Sequence, residues 1–176
     1  MDKANMPRTW LVTDERMGDR LFGALDRLPA KSGVLFRHHA LARSERLTLG
    51  REVAATCRSA GHLLAVSRDE GLARELGARL VHNPERSAED FRYSFAVHNA
   101  AAVERANQQG AALAFLSPIF PTRSHPGSSP LPRREVKLLI EKLDCPVIAL
   151  GGMTAQNFAE VEELGFHGWA GIDAWL

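Results

Sequence analysis

The chain has 176 residues, a length suited to one domain with a substantial hydrophobic core, and its 22 Lys/Arg nearly balance 21 Asp/Glu to leave a formal charge of +1. That balance excludes a general electrostatic drive toward nucleic acid or an anionic membrane, so a charged ligand must be held by local groups. Met1 to Arg8 lack the apolar stretch of a signal peptide, and no run of about eighteen apolar residues occurs, which points to a cytoplasmic chain without an anchor.

Thr9 to Thr13 reads as a first strand, and Arg16 to Leu28 as a helix with Leu21, Phe22, Leu25 and Leu28 on one face. Further strands are expected at Gly33 to Arg37, His62 to Ser67, Arg79 to His82, Tyr93 to Val97, Ala112 to Leu116, Val147 to Leu150 and Gly168 to Ile172. Helices fit between most of them: Leu47 to Ala60, Asp69 to Leu76, Asn99 to Gln109, Arg133 to Leu143 and Thr154 to Leu164, with Gly61, Gly77, Gly110 and Gly165 as stops. Cys57 falls in a helical pattern and Cys145 at a strand entrance, without zinc-type spacing, so both read as reduced, packed thiols.

Strands alternating with helices imply βαβ units and a parallel sheet, and eight repeats are the number that closes a barrel. The expected fold is therefore α/β, a compact (β/α)8 TIM-type barrel, with an open doubly wound sheet as the alternative. The chain is short for this barrel, which usually takes about 250 residues. Only Asn83 to Arg92 separates the fourth and fifth strands, so the fourth helix should be reduced, and a last helix is missing after the eighth strand. Strand surface left bare there would need cover, and a homodimer is one way to supply it.

In such barrels the working face is formed by the loops after the carboxyl ends of the strands. Those positions hold Arg37, His38 and His39, then Ser67, Arg68 and Asp69, then His82 and Asn83, then His98 and Asn99. With His125 in the following loop, five of the seven histidines fall at this face, a pattern suited to proton transfer or phosphate contact. A metal is the weaker reading, because His38 and His39 are adjacent and no carboxylate stands at ligand spacing.

Two segments carry most of the functional signal. Ser117-Pro-Ile-Phe-Pro-Thr-Arg-Ser-His-Pro-Gly127 forms a long loop that offers hydroxyls, a guanidinium and an imidazole to an anion, its alternative being a plain connector. Cys145-Pro-Val-Ile-Ala-Leu-Gly-Gly-Met-Thr154 runs a buried strand into a glycine pair and a helix start at Thr154. Gly151 and Gly152 would leave main-chain N–H groups open to a phosphate, assisted by the positive end of the helix dipole.

Together with Trp10-Leu-Val-Thr-Asp14, Val34-Leu-Phe-Arg37 and Gly77-Ala-Arg-Leu-Val-His82, these two segments resemble the thiamine-phosphate synthase and TenI family of phosphate-binding barrels over most of the chain. The resemblance implies a phosphate held by Thr122, Ser124, His125, Gly151, Gly152, Ile172 and Asp173, with Arg37 and His39 toward the rest of the substrate. Synthases of the family join a pyrimidine diphosphate to a thiazole phosphate with Mg²⁺ held by aspartates. Here Ser67-Arg68 stands in place of an Asn-Asp pair, and the later aspartate falls near Ser87, with Asp90 displaced. Ala96 replaces the synthase serine, whereas His98, two residues on, matches the histidine that TenI-like members use for thiazole phosphate tautomerisation. The resemblance thus implies a thiamine-biosynthesis protein that binds a small phosphorylated heteroaromatic ligand and acts as a metal-independent isomerase through His98, with no cofactor. Its alternatives are an inactive phosphate-binding or regulatory homologue and a synthase with an altered Mg²⁺ site. Asp173 replaces a small hydroxyl residue, and Arg37 or Arg123 is the expected counter-charge.

Overall fold

The computed structural model describes residues 5–85, 90–122, 127 and 129–176. Eight short strands, β1 (Thr9–Val12), β2 (Gly33–Phe36), β3 (Leu63–Ser67), β4 (Leu80–His82), β5 (Arg92–Val97), β6 (Leu113–Leu116), β7 (Val147–Ala149) and β8 (Gly168–Gly171), pair in sequence order. All pairs are parallel, and β8 returns to β1 with Trp10 opposite Ala170, so the sheet is a closed barrel rather than an open one.

Closure follows from the residue pattern, since strands that are apolar on both faces need cover on both. The outer faces are covered by α1 (Leu21–Asp26), α2 (Arg43–Ala60), α3 (Glu70–Leu76), α4 (Ala100–Gln108), α5 (Arg133–Glu141) and α6 (Ala155–Phe158). The lumen is filled by side chains from well-separated strands. The rings of Trp10 on β1 and Phe115 on β6 meet edge to face at 5.3 Å, and His82 on β4 meets Phe115 in the same way at 5.2 Å. A Cβ at Gly33, next to Trp10 on β2, would stand 2.3 Å from the indole, so only glycine lets the ring cross the barrel there.

Three helix starts coincide with capping side chains that the sequence displays. The side-chain oxygens of Asp69, Asn99 and Thr154 accept from the main-chain N–H of Leu72, Ala102 and Asn157. Other boundaries differ for physical reasons. The expected helix from Arg16 to Leu28 is instead a 3-10 segment, Glu15–Arg20, followed by α1, because Gly18 at φ 46° breaks the spiral. The expected helix from Leu47 begins one turn earlier, at Arg43, where Glu45 accepts from the N–H of Ala42. The last expected helix, Thr154 to Leu164, shrinks to the four residues of α6 and a 3-10 turn, Glu162–Leu164.

No helix lies between β4 and β5 among the described residues, and beyond β8 the chain forms a 3-10 turn, Asp173–Trp175. Cys57 and Cys145 are buried and not joined in a disulfide, and burial pushes the Cys57 thiol up to about 12, which leaves it protonated and inert. Among the described residues, no helix is long and apolar enough to cross a membrane.

Candidate functional site at the carboxyl ends of the strands

The site is built around the end of β7. Gly151 and Gly152 sit at φ 94° and 62°, in the left-handed region that favours glycine, and turn the chain sharply outward. The segment after β6 docks onto this bend: the N–H groups of Ile119 and Phe120 donate to the carbonyls of Leu150 and Gly151, both at 3.0 Å. Asn157 Nδ2 donates to the Gly152 carbonyl at 2.8 Å. Three successive carbonyls are therefore occupied by protein donors. Among the described residues, the main-chain N–H groups of Gly151, Gly152 and Met153 carry no hydrogen bond. A bend with its acceptors used and its donors left over favours an anion.

The glycines do a different job from the one expected. A Cβ on Gly151 would lie 3.0 Å from Pro118 Cα, and one on Gly152 would lie 2.4 Å from the Pro121 carbonyl oxygen and 2.8 Å from Phe120 Cβ. Their missing side chains make room for the Pro118 to Pro121 segment rather than clearing a path for ligand. The main chain of the bend still faces the cavity. The expected helix dipole is also largely absent, since four residues of α6 sum too few peptide units to build one.

A cavity of about 550 Å³ opens above this bend, and Arg37, His98, Thr122, Gly151, Gly152, Ile172 and Asp173 all line it. Sequence positions spread from 37 to 173 thus converge on one wall because each follows a strand of the same barrel. His39 is exposed and does not line this cavity. Ser124, His125 and Arg123 lie outside the described residues.

His98, just past β5, is exposed, and its Nδ1 lies 2.8 Å from the Ser117 carbonyl oxygen and 3.2 Å from Ser117 Oγ. His38 and His82 are buried and packed against neighbouring side chains. His38 stacks on Phe36 and meets Thr13 Oγ1 at 3.0 Å, and its burial lowers its pKa. His82 is buried beside Ser94 Oγ at 3.0 Å, and burial, with nearby Arg37 and Arg68, pushes it down to about 3, so it is neutral at pH 7. Of the four described barrel-end histidines, His98 lines the cavity, whereas His38 and His82 are packed into the fold.

Asp173 finds its counter-charge in a residue the sequence did not single out. Arg16 Nη1 stands 3.7 Å from Asp173 Oδ1, while Arg16 Nε is fixed at 2.8 Å by Asp14 Oδ1. Burial alone would raise the Asp14 pKa, but hydrogen bonds and charge from Arg16, with the charge of Arg37, hold it below its ordinary value. Among the described residues this Asp14–Arg16–Asp173 chain stands in place of the expected pairing of Asp173 with Arg37; Arg123 lies outside those residues. Arg37 is seated instead by its N–H on Thr13 Oγ1 at 3.0 Å.

Among the described residues, the acidic side chains Asp69 and Asp90 near β3 and β4 are engaged by guanidinium groups rather than open to a divalent metal. Asp69 caps α3 and accepts from Arg43 Nη1 at 3.2 Å and Arg46 Nη1 at 3.4 Å; Asp90 pairs with Arg74 at 3.4 Å. Each already faces guanidinium charge, and Arg68 adds another at the end of β3. Among the described residues, no three His, Cys, Asp or Glu side chains gather in a set that could hold a metal ion. Ser87 lies outside those residues.

The closed parallel barrel, with the bend and His98 sharing one strand-end cavity, defines a (β/α)8 barrel protein whose candidate site lies where barrels of this kind carry theirs. Residues 10–175 match the TMP-TENI family model, described as thiamine monophosphate synthase, and the chain belongs to this family of thiamine biosynthesis. It is 31% identical to the Aquifex aeolicus (strain VF5) protein called "Putative thiamine-phosphate synthase 2", with 97% of this chain and 98% of that one covered. It is 30% identical to the thiamine-phosphate synthase of Bacillus velezensis, with 77% of this chain aligned but only 65% of the relative's length spanned. Among solved structures, thiamine phosphate pyrophosphorylase from Pyrococcus furiosus shares the fold, with a TM-score of 0.82 at 21% identity over 98% of this chain and 88% of that one.

Proposed function

We propose that the protein binds a thiazole-type phosphate at the mouth of the barrel and interconverts its tautomers, with His98 carrying the proton and no metal taking part. The observation that carries this reading is the sharing of one cavity by His98 and the Gly151–Gly152 bend. The bend supplies main-chain donors to the phosphate, joined by Thr122 and the turn at Ile172 and Asp173. Arg37 faces the ligand from β2. With Asp173 held by Arg16, the carboxylate repels a phosphate less than a free one would. Tautomerisation needs one group that takes and returns a proton and a grip that fixes the ring, and it needs no co-reactant.

A second reading, synthesis of thiamine phosphate from two substrates, is favoured by the names of the relatives. The guanidinium partners of Asp69 and Asp90 weigh against it. The kinetics of His98→Ala separate the two readings. Loss of the general acid–base should lower the tautomerisation rate by about a hundredfold or more and leave phosphate affinity nearly unchanged. An unchanged rate removes His98 from the chemistry. Coupling of the two substrates that stops with a chelator establishes the synthase instead.

A further inference from the structure

The contacts of His98 decide which of its nitrogens can do chemistry. Nδ1 lies 2.8 Å from the main-chain carbonyl of Ser117, a group that only accepts. An unprotonated Nδ1 would set two lone pairs against each other at that distance, so the neutral ring must carry its proton there. The Ser117 hydroxyl, at 3.2 Å from the same nitrogen, is the more distant partner. Nε2 has no hydrogen-bond partner among the described residues, and the ring lines the cavity.

We propose that Ser117 is a positioning residue that locks His98 as the Nδ1–H tautomer, so that His98 enters the cycle as a base at Nε2. This rests on the reading of His98 as the proton carrier and adds the order of events. Nε2 accepts a proton from a ring carbon of the ligand, and the C–H electron pair moves into the conjugated ring. The resulting imidazolium keeps its Nδ1–H on the Ser117 carbonyl, and Nε2 returns the proton at the other end of the conjugated system. Atoms and electrons balance without an oxidant, a reductant or water. A histidine free in water favours the opposite, Nε2–H tautomer, so the inference runs against the default.

The test is long-range ¹⁵N–¹H correlation NMR of the ligand-free protein with ¹⁵N-labelled histidine, at a pH where the ring is neutral. His98 is assigned by the resonances lost in His98→Asn. The expected signature is a pyrrole-type Nδ1 and a pyridine-type Nε2, retained in Ser117→Ala because the main-chain carbonyl remains. The mirror pattern, an even mixture, or a switch of tautomer in Ser117→Ala would overturn the proposal. The measurement needs no ligand, so its outcome is independent of whether a thiazole phosphate binds.

Discussion

Gly152 is the residue at which fold and site are most tightly coupled. Replacing it with alanine places a methyl group 2.4 Å from the Pro121 carbonyl oxygen at a φ that alanine adopts only with strain. Both effects act together, and Gly152→Ala is expected to lose about 2–4 kcal/mol of stability in denaturant unfolding, with weakened phosphate binding. Stability within about 0.5 kcal/mol of the parent, the range of an ordinary surface change, would show that the loop does not rest on the bend. The glycine pair was conspicuous in the sequence, but the loop that requires it was not, because close approach between distant segments leaves no local pattern. Arg16 was missed for the same reason: its role depends on Asp14 and Asp173, which meet only when β8 closes on β1.

At the scale of elements, Arg46 ties the ends of two strands to a helix. It is a largely buried side chain on α2, donating from Nε to the Arg37 carbonyl at 3.0 Å and from Nη2 to the Ser67 carbonyl at 3.0 Å, and it faces Asp69 Oδ2 at 3.4 Å. Arg46→Met keeps much of the side-chain volume but leaves two carbonyls and a carboxylate without this donor. A loss of about 3 kcal/mol is expected, read as a lower denaturation midpoint with an unchanged slope. A midpoint equal to the parent's would mean that solvent replaces those bonds without cost. The sequence concealed this residue because α2 was expected to start at Leu47, one position too late to include it. Strands were easier to read than helices. Most of the eight are short, largely apolar runs, and the observed bounds fall within a residue of the expected ones. Helix bounds moved where a glycine intervened, as at Gly18, or where the expected pattern outlasted the spiral, as in α6.

For the whole molecule, the buried histidines set the response to acid. His82 titrates at about 3 in the folded chain against an ordinary 6.5, chiefly because burial disfavours its charged form. The unfolded chain therefore binds the proton more readily, and stability contributed by neutral His82 is complete above about pH 6.5 and declines as pH falls toward 3. His38 and His62 shift in the same direction by burial, reinforcing the trend. Thermal unfolding between pH 7 and 4 should show a decline on the order of a few kcal/mol, reduced in His82→Gln. A flat profile would indicate that the protonated rings find acceptors or water in the fold. The barrel itself was legible because alternating strands and helices admit few closures, and the cavity wall followed from it, since seven of the expected site residues occupy strand ends that closure brings together. His39 was not separable from that set by sequence, because adjacent residues at a strand end diverge according to local backbone geometry.

The most direct test is calorimetric titration of the protein with thiazole phosphate, once with Mg²⁺ and once with a chelator. Because the proposed grip is made of main-chain amides and side chains of the barrel mouth, binding should occur with the same affinity in both. Absence of binding in either condition, or binding only when Mg²⁺ is present, would contradict the account.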